Sequence, residues 1–234
     1  MSSFVHYQIK SYIQSLKFIP PASLFLLWIF ILYTYDNAPI LSSYGASSIA
    51  IYLTITWISM TVFSLEEEQE KYILFFQLGR KEKYLIGKWL SIIVISLPLH
   101  AFAIFYPIMT DSFKGSLSLP LILISVSSHV IFSFFGILIG TLFSATKWGT
   151  KKYSWLSAVL VIVLSISAKS LAELASIANW FLWIFPPVFT VIKHMEEGDE
   201  ILFLESLFTD SIFVLLYLII SFALLIILFK RKES

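Results

Sequence analysis

Residues 66–88 read EEEQEKYILFFQLGRKEKYLIGK. Four carboxylates, Glu66, Glu67, Glu68 and Glu70, open the stretch within five residues. A helix-length apolar pattern follows in Tyr72, Ile73, Phe75, Phe76 and Leu78, and Gly79 breaks it. Arg80, Lys81, Glu82 and Lys83 then lead to Gly87-Lys88. On either side lie apolar runs, 45–65 and 89–109, with no Asp, Glu, Lys or Arg in them. A charged segment between such runs is where a chain leaves one membrane span, follows the surface and enters the next. An amphipathic helix there lies on the membrane or presses its apolar face into a partner's groove.

The composition agrees. Of 234 residues, 58% are hydrophobic and only 13% charged, and the mean hydropathy is +0.86. Soluble domains carry about 25% charged residues. The net charge of +1 lacks the basic excess that nucleic-acid binding needs. The absence of cysteine excludes disulfides, thiolate metal sites and cysteine nucleophiles. Gly79 and Gly87 lack the spacing that lets a P-loop cradle phosphates.

Crossing ~30 Å of hydrocarbon takes about 20 apolar residues. The sequence predicts six spans, near 18–35, 45–65, 89–109, 119–145, 155 to the Lys169–Glu173 region, and 211–229. Pro20-Pro21 suits a helix start, whereas Pro98 and Pro107 are expected to bend the third span. His6, Gln8, Lys10 and Gln14 interrupt any apolar leader, so no cleavable signal is expected. Val5, Ile9, Tyr12, Ile13 and Leu16 instead recur at helical spacing, predicting an interfacial helix over 1–17. Residues 174–192 are apolar but broken by Pro186-Pro187. Counting them as a seventh span would put Lys230-Arg231-Lys232 outside, against the positive-inside rule. With six spans and both termini cytoplasmic, inside basic residues number two before the first span, five between the second and third, three between the fourth and fifth, and three at the C-terminus. Lys114, Lys169 and Lys193 are left outside. Residues 174–192 become an outer, re-entrant pair of half-helices, and 1–234 is one transmembrane domain.

The order of acidic start, short apolar helix, glycine with clustered charges and Gly-Lys before a span resembles the coupling-helix region of ABC-2-type permeases. The layout is similar too: an all-α membrane protein of six spans with an interfacial N-terminal helix, a cytoplasmic coupling helix at 66–88 and a broken outer hairpin. The resemblance implies the transmembrane subunit of an ATP-driven exporter in the bacterial cell membrane. It would pair with a second permease copy or paralogue and with cytoplasmic ABC ATPase subunits. This chain would bind no cofactor, ATP and Mg being used by the partner. Glu66, Glu67, Glu68, Glu70, Tyr72, Phe75, Phe76, Gly79, Arg80 and Lys81 would form or flank the ATPase contact. The sequence departs from the commonest pattern at Gln69-Glu70-Lys71, where a Gly-Thr pair often follows the acidic start. Small permeases of this build suggest an amphipathic peptide substrate, for toxin export or self-immunity, ahead of lipid-like molecules.

Four ionisable residues fall at membrane depth or its edge. His100 and His129 lie within the third and fourth spans, where an imidazole serves a proton or substrate path or bonds to a neighbouring helix. Lys169 and Glu173, four apart, are expected to pair locally, with substrate gating as the sharper reading. Ser133, Gly136, Gly140 and Ser144 form a small-residue stripe for close packing, inside the subunit or at a dimer seam. An outer acidic stretch runs through Glu196, Glu197, Asp199, Glu200, Glu205 and Asp210, read as a solvated turn or as a docking face for a cationic peptide.

Two rivals stand beside the exporter. Glu66-Glu67 followed by Lys71 approaches the EExxxR element of intramembrane CAAX-type metalloproteases, but with lysine for arginine and without the matching histidine contexts. A channel or small immunity protein without an ATPase would keep the spans and need no coupling helix.

Overall fold

An apolar run in hydrocarbon must bond its backbone to itself, which makes it a helix. The computed structural model describes residues 1–148, 152–174, 183–196 and 204–233, and these are all-helical, with no strand among them. The helices are α1 (Ser2–Gln14), α2 (Ile19–Leu32), α3 (Ile40–Phe63), α4 (Glu68–Leu78), α5 (Lys81–Met109), α6 (Leu119–Ala145), α7 (Ser154–Ile166), α8 (Ala168–Leu174), α9 (Val188–Glu196) and α10 (Leu204–Glu233).

Among the described residues four helices, α3, α5, α6 and α10, are long and apolar enough to cross a membrane. The count reaches five if α1 and α2, joined at a 78° bend, act as one span. This build is compatible with a multi-pass membrane protein. Two expected spans come out short. α2 starts at the Pro20-Pro21 pair but has 14 residues, and α7 has 13, so each reaches only about 20 Å. Residues 175–182, the middle of the expected re-entrant segment, lie outside the described residues, as do Glu197, Asp199 and Glu200. Val188 after the proline pair opens α9. α5 continues through both Pro98 and Pro107.

α3 and α6 form the closest helix pair of the fold. A Cβ built on Gly140 would stand 2.4 Å from the Ser59 Cβ, and one on Gly136 would stand 3.0 Å from the Thr56 nitrogen and the Tyr52 carbonyl. The small-residue stripe of α6 is therefore occupied inside the subunit. Tyr52, Ile55, Phe132, Phe135 and Ile139 fill the core around that contact. The loop before α3 is tied to the loop after α5, the Ala38 amide donating to the Ser112 carbonyl at 2.9 Å and the Lys114 amide to the Ala38 carbonyl at 3.1 Å. Those two loops share one end of the bundle.

α1 shares only Tyr12 between its expected interfacial stripe and the face it packs on the protein. Phe4, Gln8 and Tyr12 are buried against the protein, whereas Ile13 and Leu16 are exposed. Gln8 belongs inside because its amide has a partner there.

Candidate functional site

The segment between α3 and α5 gathers around Glu66. Its carboxylate lies at the end of α3, and Lys88, two turns into α5, reaches back to it. The Lys88 Nζ donates to the two Glu66 oxygens at 2.6 and 2.5 Å and to the Val62 carbonyl at 2.7 Å. The Gln8 amide adds a bond at 2.5 Å and the Tyr84 hydroxyl one at 3.1 Å. The Lys88 side chain has no exposed surface, and that of Glu66 is 4% exposed. Burying two charges is costly unless the remaining hydrogen-bonding capacity is filled. Here it is filled, and the ammonium also lies 5.4 Å from the Tyr84 ring centroid. Gly87 makes room for the node's cover: a Cβ there would meet the Phe4 ring at 2.4 Å.

α4 begins after an extended Glu67 and stops at Gly79, whose φ of +70° suits glycine and lets its amide bond the Phe75 and Phe76 carbonyls. Adjacent residues on a helix point about 100° apart, so Phe75 and Phe76 part company. Phe75 is buried, its ring 5.0 Å from Tyr84 and 6.0 Å from Phe229. Phe76 is 90% exposed, and Tyr72 and Ile73 are exposed beside it.

The flanks of α4 are fastened on two sides. Toward α1, the Tyr7 hydroxyl donates to the Glu70 carboxylate, and that bond, with some burial, holds the phenol above its usual pKa. Toward α10, Lys71 pairs with Glu233, Lys81 donates to the Glu233 backbone carbonyl, and Lys230 pairs with Glu82 at 2.7 Å. Glu67, Glu68 and Arg80 are exposed. The ten residues expected at the ATPase contact thus divide: Glu66 and Phe75 are internal, Glu70 and Lys81 brace neighbouring helices, Gly79 ends α4, and Glu67, Glu68, Tyr72, Phe76 and Arg80 face outward.

The intramembrane histidines sit between α3, α5 and α6. A carbonyl only accepts, so the His129 Nδ1, 2.7 Å from the Ser125 carbonyl, carries the proton. The Nε2 then accepts from Ser47 Oγ at 2.9 Å. The His100 Nδ1 lies 2.8 Å from the Ser96 carbonyl, and its Nε2 lies 2.9 Å from Ser133 Oγ and 3.3 Å from the His129 carbonyl. Both rings cross-link helices, His129 joining α6 to α3 through Ser47 and His100 joining α5 to α6 through Ser133. His100, Ser96 and Ser133 border a cavity of about 200 Å³ between α5 and α6, alongside Leu97, Val130 and Phe134.

Lys169 and Glu173 do not form the expected local pair. The Lys169 ammonium lies 4.6 Å over the Phe189 ring of α9, and no Lys169–Glu173 ion pair exists among the described residues. An aromatic face competes well with an exposed carboxylate on the same helix.

Asp210 near the start of α10 takes two partners on one oxygen, Lys193 at 2.6 Å and His194 at 2.7 Å. In the sequence Asp210 is one member of the outer acidic stretch, a solvated turn or a docking face, and nothing local signals its cross-helix role. Among the described residues no three His, Asp or Glu side chains gather as a metal site. No known protein family, curated protein or solved structure matches this chain.

Proposed function

We propose that this chain is the membrane subunit of an ATP-driven exporter of the ABC-2 type, with α4 as the element that meets a separate ATPase. The observation that carries the reading is α4 itself. A short helix between two membrane-crossing helices is internally anchored through Phe75 while holding Tyr72, Ile73 and Phe76 outward. Phe76 is 90% exposed on this element, and large apolar residues clustered on an anchored surface helix suit the docking of a partner.

On this reading the chain has six spans in the bacterial cell membrane, with both termini cytoplasmic. The short α2 and the α7–α8 pair complete the six. Exposed apolar residues on both, Leu24, Leu27, Trp28 and Ile31 on α2 and Leu156, Leu160 and Val163 on α7, are what lipid would cover. The chain works with a second copy or a paralogue, the partner ATPase uses ATP and Mg, and the cargo is an amphipathic molecule, a peptide ahead of a lipid. Purification in mild detergent tests the central claim. A P-loop ATPase that co-purifies and hydrolyses ATP is the expected result; an intact, folded permease that brings none would remove the basis for the reading.

A further inference from the structure

The exposed face of α4 leaves open what motion there would do to the rest of the chain, and the packing of α10 bears on that. The α3–α6 pair is a rigid spine, because its helices touch through Gly136 and Gly140 with no free space between them. The most apolar 18-residue windows of α3 and α6 are 61% and 56% buried, whereas that of α10 is 22% buried. α10 touches the protein along one narrow seam, Val214, Leu218, Leu225 and Phe229, while Leu215, Leu216, Ile219, Ile220 and Leu224 are open. A helix held on one side only can slide or tilt without emptying a core.

Its two ends carry ion pairs, whereas its middle is held by rings, Phe222 against Trp89 and Phe134 and Tyr217 against Phe135. At one end Phe229 meets Phe75 and stacks on Tyr84 at an interplanar angle of 5°. Lys71, Lys81 and Glu82 bind the last turn there. At the other end Asp210 holds Lys193 and His194 of α9. From Asp210 to Phe229 the helix rises about 28 Å, close to the thickness of a hydrocarbon core. α9 in turn rests on α3, with Met195 packed over Gly45.

We propose that α10 is a transmission rod, carrying a displacement of α4 at one face of the membrane to α9 at the opposite face while the α3–α6 spine stays still. The coupling is a property of this chain and stands whatever α4 binds.

The test is amide hydrogen exchange on the full chain in lipid nanodiscs. Phe229→Ala cuts the α4 end. Exchange should quicken in α4 and also in Val188–Glu196, by about fivefold or more, the lower range of measured coupling between sites. Because coupling is reciprocal, Asp210→Asn should quicken exchange in α4. Ile220→Ala, on the open face of α10, should change neither. If Phe229→Ala also loosens α3 and α6, the milder Lys71→Gln, which removes the α4 ion pair to Glu233, decides by the same comparison. Faster exchange in α4 with wild-type exchange in α9, or an equal response to Ile220→Ala, overturns the proposal.

Discussion

Lys88 buries its ammonium completely against Glu66, 22 residues earlier in the chain, at 2.5 Å from one carboxylate oxygen. The pair joins the end of α3 to the start of α5, and α1 covers it through Gln8. Removing one partner should be worse than removing both. Glu66→Ala leaves a buried ammonium with only the Val62 carbonyl, and a loss of about 3–5 kcal/mol is expected. Lys88→Met leaves a carboxylate still bonded by Gln8 and Tyr84, so it should cost less. Glu66→Ala/Lys88→Met should recover part of the Glu66→Ala loss. Thermal unfolding of the purified chain in detergent measures all three, and equal, additive losses would show that the pair is not coupled.

The spine gives a second expectation. Gly140→Ala puts a methyl 2.4 Å from the Ser59 Cβ, so α3 and α6 must separate, at about 1–3 kcal/mol for overpacking. Ser59→Gly should relieve part of that loss in the double variant, because contacting residues couple. Thermal melts of the single and double variants decide. A Gly140→Ala chain as stable as wild type would mean that this contact is loose.

Much of the helical frame is legible in the sequence. α3, α5, α6 and α10 follow from long runs with few charges, and the glycine stop of α4 follows from Gly79. The candidate site is legible only as a segment. That Phe75 and Phe76 face different ways follows from helical geometry, but which one turns inward depends on where Phe229 arrives, 153 residues from Phe76. Glu66 looked like one more surface carboxylate in an acidic run. A lone lysine two turns into an apolar helix was the available signal, since such a charge needs a buried partner. Lys169 failed the local pairing rule because Phe189, on another element, offered a better seat. Tertiary contacts decided each of these positions.

The six-span reading predicts which side of the membrane each connection occupies. The chain has no cysteine, so single cysteines report cleanly. Cysteines at the exposed positions Lys83 and Lys10 should react with an impermeant maleimide only from the cytoplasmic side. A cysteine at exposed Lys114, on the loop tied to Ala38, should react only from outside. Labelling of positions 83 and 114 from the same side contradicts the reading, since α5 alone separates them.

The neighbours Phe75 and Phe76 provide the sharpest separation of folding from docking. Phe75 sits among Tyr84, Phe229 and Tyr72, and truncating a buried phenylalanine costs about 3–5 kcal/mol. Phe75→Ala should therefore lower the melting temperature and loosen the last turn of α10, whatever the protein binds. Phe76 is 90% exposed, and an exposed side chain away from caps and networks contributes within about 0.5 kcal/mol of stability. Phe76→Ala should melt like wild type. If α4 docks into an ATPase, the ring is a central anchor, and its loss should weaken association by about 2 kcal/mol or more, roughly 30-fold. The informative result is an unchanged melting curve together with loss of the co-purifying ATPase. Exposed Glu67 and Arg80 should behave otherwise, because rim charges govern association rate and salt dependence more than affinity. Glu67→Gln should thus slow binding at low salt and leave the complex intact once formed. A Phe76→Ala chain that melts normally and retains its ATPase in full would move the docking surface away from α4, and the main support for the exporter reading would go with it.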